Sequence, residues 1–79
     1  NSKADFISKL HIALKETSES IYWLTLLERT KLIEYDFNGL LMLAEEIKRM
    51  LIASLNTAKR KALIERQESR PHKQKEHDS

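Results

Sequence analysis

Glu16 and Glu19, with the indole of Trp23 following at i+4, come closest to a reactive constellation in this 79-residue chain. On a helix they share one face. Paired carboxylates can bind a metal ion or exchange protons, but ferritin-like sites need Glu-x-x-His on facing helices, a motif absent from this sequence. His11 is followed by no acid at i+3 or i+4, and His72 and His77 fall in a polar tail. There is no cysteine, Gly-rich phosphate loop, nucleophile elbow or zinc-binding spacing. The residue pattern therefore predicts no catalysis, metal or cofactor. Glu16 and Glu19 read as helix surface or as hydrogen-bonding groups between subunits.

A second chemistry-bearing group is basic. Lys59, Arg60, Lys61 and Arg66, continued by Arg70, Lys73 and Lys75, can neutralise phosphates without reading sequence, a mode that weakens steeply with salt. The alternative is that cations at a helix C-terminus favour the helix dipole and keep a tail soluble. Glu65, Glu68, Glu76 and Asp78 dilute the field, and the formal net charge is only +2. Tyr22 and Trp23 suggest a stacking platform for bases. Adjacent helical positions point about 100° apart, however, so the two rings cannot present one surface. Trp23 falls on the Ile12 and Leu26 side, a second apolar face suited to packing against another helix or subunit.

The elements that must position these groups are helices. A single Gly, a single Pro and one third of residues charged point to long helices rather than a turn-rich β fold. Leu10, Leu14, Ile21 and Leu24 recur at helical spacing, with Ile7 and Thr17 in the same register and Phe6, Ala13, Ser20 and Leu27 beside it. The stripe is too wide for a two-stranded seam. Helix one is predicted over about 3–30, with Ser2 as its N-cap, and its register runs unbroken through the polar stretch from Thr17 to Ser20. The connection Leu32 to Asp36 is short enough to turn the next helix back antiparallel, and Asp36 is the expected N-cap. Helix two is predicted over about 37–68, carrying Phe37, Leu40, Ala44, Ile47, Leu51, Ser54 and Ala58, flanked by Leu41, Leu43, Met50 and Leu55. Gly39 in its first turn permits a close backbone approach, and Glu45 can pair with Arg49. Residues 70–79 read as a disordered basic and polar tail, because Pro71 disfavours helix at Arg70 and no apolar run follows. The expected fold is all-α, with one hairpin domain over 1–69. Leu10, Leu14, Ile21, Trp23, Leu24, Leu40, Ile47 and Leu51 are the predicted residues for helix packing or an oligomer interface. No segment reaches the roughly 18 consecutive apolar residues of a membrane span, and a cytoplasmic location is expected.

The segments KADFISKLHIALKE (3–16), ESIYWL (19–24) and LIASLNTAK (51–59) resemble a bacterial four-helix-bundle family, often encoded within intervening sequences of large-subunit ribosomal RNA genes. The resemblance covers roughly residues 2–61, matching the third and fourth helices of the family pattern. It implies an antiparallel helical hairpin corresponding to the last two helices of an up-down four-helix bundle, and so the C-terminal half of such a protein. It also implies self-association, since members resemble rings of five subunits. Relatives include the accessory variability protein of diversity-generating retroelements, so RNA or DNA and a reverse transcriptase are the partners implied. The expectation is a non-enzymatic, nucleic-acid-associated subunit. A purely structural or protein-interaction module, or a fragment with no function, is the alternative.

Overall fold

The computed structural model describes residues 2–68 and consists of two helices, α1 over Ser2–Thr30 and α2 over Asn38–Glu68. With 29 and 31 residues they are about 43 and 46 Å long at 1.5 Å per residue. They pack against each other as an antiparallel hairpin, and the ion pair of Lys3 with Glu65 closes its open end. The fold is an all-α helical hairpin. The predicted tail, 70–79, lies outside the described residues.

Ser and Thr do not break α1, because their hydroxyls turn back onto the helix's own carbonyls. Thr17 donates to the Ala13 carbonyl at 2.8 Å, Ser20 to Glu16 at 3.0 Å and Thr25 to Ile21 at 2.8 Å. Asp5 supplies a carboxylate to the first turn and pairs with Lys9 at 3.1 Å. Ser2 is itself helical rather than a cap before the helix. The C-terminal stop is Lys31, whose φ of 57° is left-handed, the conformation that commonly ends a helix. Thr30 adds a local bond, its Oγ1 accepting from the Leu32 amide at 3.4 Å.

At the start of α2 the capping position is one residue later than the sequence suggests. The Phe37 carbonyl accepts the first helical bond from the Leu41 amide at 2.9 Å, so Phe37 is the half-helical residue. Asp36 stands one position earlier, and its Oδ1 accepts from the Asn38 amide at 3.0 Å. Gly39 makes no close approach: a Cβ added there meets nothing within 4 Å. Gly39→Ala is therefore expected to raise stability by about 0.5–1 kcal/mol, by removing unfolded-state freedom without a clash. Thermal melts followed by circular dichroism check this, and a lowered midpoint would contradict the open space. Glu45 and Arg49, although well spaced, do not form an ion pair; the i,i+4 pair present among the described residues is Asp5 with Lys9.

Only Phe37 (5% exposed) and Leu55 (6%) are buried among the described residues. Along the length of the hairpin runs a half-buried seam: Ile7, Leu10, Leu14, Thr17, Ile21 and Leu24 on α1, and Leu41, Ala44, Lys48, Leu51, Ala58 and Ala62 on α2. Lys48 fits this seam through its aliphatic stem. Phe37 is held at the closed end by Tyr35, whose ring meets it edge-on with centroids 5.1 Å apart.

Candidate nucleic-acid interface

The antiparallel turn brings the last three turns of α2 beside the first turns of α1. Lys59, Arg60, Lys61 and Arg66 are all exposed there. Successive positions rotate by about 100°, so Lys59, Arg60 and Lys61 fan around α2 instead of lining one side. Lys61 lies on the rim of a groove of about 450 Å³ shared with Lys3, Phe6 and Ser54. Lys3 takes up Glu65, one of the acids expected to dilute the cluster. Hence α1 reinforces the basic end, a contribution that separation along the chain conceals. Arg70, Lys73 and Lys75 lie outside the described residues.

Charge is unevenly divided along the hairpin. Its open half, residues 2–16 and 52–68, holds seven Lys and Arg against four Asp and Glu, net +3. The closed half, residues 17–51, holds four Lys and Arg against six Asp and Glu, net −2. A phosphate backbone approaching the molecule therefore meets an attractive end and a repulsive one.

The other sequence-derived candidates do not converge on this end. Tyr22 and Trp23 are 60% and 58% exposed, and their rings meet at 76° with centroids 5.1 Å apart, so they form no common stacking surface. Glu16, Glu19 and His11 are exposed on α1, and no three His, Asp or Glu side chains among the described residues are grouped to hold a metal ion. No ionisable side chain among the described residues is buried, so no desolvated acid–base pair is present there. Among the predicted packing residues, Leu10, Leu14, Ile21, Leu24 and Leu51 lie half-buried along the seam. Trp23, Leu40 (40% exposed) and Ile47 (37%) face outward.

The family comparison supplies the chain's relationship. The model of the 23S rRNA-intervening sequence protein family matches residues 1–53, two thirds of the chain. The chain belongs to the 23S rRNA-intervening sequence protein family. No curated protein and no solved structure matches it. The match takes in all of α1, the connection and the first half of α2, ending before the basic cluster at 59–61. The part of the chain carrying the cations thus lies beyond the match, and the resemblance read as far as residue 61 is matched to residue 53. No helix among the described residues is long and apolar enough to cross a membrane.

Proposed function

We propose that this protein is a non-enzymatic, self-associating helical subunit whose basic end holds RNA or DNA through the phosphate backbone. The observation that carries the reading is the net +3 of the open half, where α1 and α2 cations converge. Exposed Lys and Arg on helix ends mostly contact phosphates, so binding has little sequence preference. Self-association follows from the outward apolar side chains, which two helices alone leave uncovered.

The test is the combined substitution Lys59→Gln, Arg60→Gln and Lys61→Gln, which removes three charges at nearly unchanged helix propensity. Affinity for a fluorescent RNA is expected to fall about tenfold at low salt, equally across sequences, and the salt slope to flatten by about two to three units. Unchanged affinity and slope, with helicity intact, would leave a protein-interaction module as the function. That second reading draws on the same outward apolar face.

A further inference from the structure

Lys61 rims the groove on one side of the hairpin, whereas Lys59 and Arg60 turn away from it. Counting 100° per residue from the seam, they fall on the opposite side, together with Arg49 of α2 and with Lys15 and Tyr22 of α1. All five side chains are exposed. The ion pair of Lys3 with Glu65 fixes how the helices align, so Lys59 lies level with about residue 9 of α1 and Arg49 with about residue 19. Lys59, Lys15, Arg49 and Tyr22 therefore follow one another along this side over about 20 Å.

The same stretch is clear of acids. At these levels the hairpin carries Glu16, Glu19 and Glu46; Glu16 turns toward the groove side, and Glu19 and Glu46 point outward, away from the facing helix. Glu45 comes just past the level of Tyr22. None of Lys15, Arg49, Lys59 and Arg60 is paired with an acid among the described residues, and Arg49 stays unpaired with Glu45 one turn away. The net −2 of the closed half thus does not extend to this side.

We infer that a single strand of nucleic acid lies lengthwise along this side, its phosphates on Lys59, Arg60, Lys15 and Arg49 and one base on the ring of Tyr22. Cations from both helices flank the side, so a backbone running between them meets positive charge at each margin. Tyr22 is 60% exposed, and a single aromatic ring stacks an unpaired base, which a duplex keeps within its own stack. At about 3.4 Å per stacked nucleotide the stretch accepts roughly six. The inference rests on the phosphate-holding function proposed above and deepens it, from an end that attracts phosphates to a path they follow.

The probe is a fluorescent single-stranded RNA of about ten nucleotides, long enough to cover the path, titrated against the full chain at several salt concentrations. Lys15→Gln and Arg49→Gln are each expected to flatten the salt slope by about 0.7, one single-strand phosphate contact, and the double substitution by about 1.4. Lys9→Gln removes the same charge from the same helix but on the groove side, and should leave the slope unchanged. Tyr22→Leu should lower affinity about fivefold or more, and Tyr22→Phe should retain it. Helicity by circular dichroism should match the parent in every variant. Parental slopes in Lys15→Gln and Arg49→Gln, with binding intact, overturn the path along the side and leave the basic end as the site. Equal flattening by Lys9→Gln overturns it too, because overall charge would then be the cause. A Tyr22→Leu chain that binds as the parent does overturns the stacked base. No binding by the unmodified chain overturns this inference and the phosphate-holding function together.

Discussion

Leu55→Ala is expected to abolish most of the cooperative thermal transition of this protein. Truncating a buried leucine costs about 2–5 kcal/mol, through lost transfer free energy and the cavity left behind. A chain of this size draws only about 3–5 kcal/mol from a single core. Since Phe37 and Leu55 are the two buried side chains among the described residues, one substitution causes a loss comparable with the whole. Ellipticity at 222 nm should fall at 25 °C, and the melt should broaden. Met42→Ala, at a position 71% exposed on α2, is the matched control and should shift stability by no more than about 0.5 kcal/mol. A Leu55→Ala chain that melts like the parent would show that the seam is not the core.

Ile47→Asp carries the second large effect, on assembly. In an isolated hairpin Ile47 is 37% exposed, and an aspartate there costs little. Within an assembly the carboxylate is buried without a partner, at about 3–5 kcal/mol, which weakens association by roughly 10²–10⁴-fold. Sedimentation equilibrium should then shift to the monomer. The melting midpoint, concentration-dependent in the parent, should become lower and independent of concentration. Met42→Asp, on another side of α2, should leave the assembly intact. If Ile47→Asp sediments and melts as the parent does, this face is open to water in solution.

The two helices were readable from the sequence for different reasons and to different depths. In α1 the register of Leu10, Leu14, Ile21 and Leu24 is the seam itself, so the predicted stripe and the inward face coincide even though Ile12, Trp23 and Leu26 form a second apolar face. Helix α2 carries two adjacent apolar stripes of similar strength, and periodicity cannot say which faces the partner helix. The stripe through Leu40, Ile47 and Ser54 turns outward, while Leu41, Lys48 and Leu55 take the seam. A lysine at a seam position disguises the register, because only its stem packs. The late cap at Phe37 and the open space at Gly39 likewise depend on backbone geometry beyond residue preference.

The candidate interface was legible as a run of cations but not as a site. Lys59, Arg60 and Lys61 are adjacent in sequence, whereas Lys3 reaches the same end only because the hairpin folds it against Glu65. The polarity between the two halves is invisible in a net charge of +2 and emerges once the chain is doubled back. Non-local pairing supplies that information, and residue spacing does not contain it.

The most direct test of the proposed function is the salt dependence of RNA binding by the unmodified chain. A fluorescent single-stranded RNA is titrated at salt concentrations from about 50 to 200 mM, and log affinity is plotted against log salt. If three or four phosphates sit on the basic end, the slope is about −2 to −3 and changes little between RNA sequences. No binding at the lowest salt, or binding with a slope near zero, would contradict a phosphate-holding subunit.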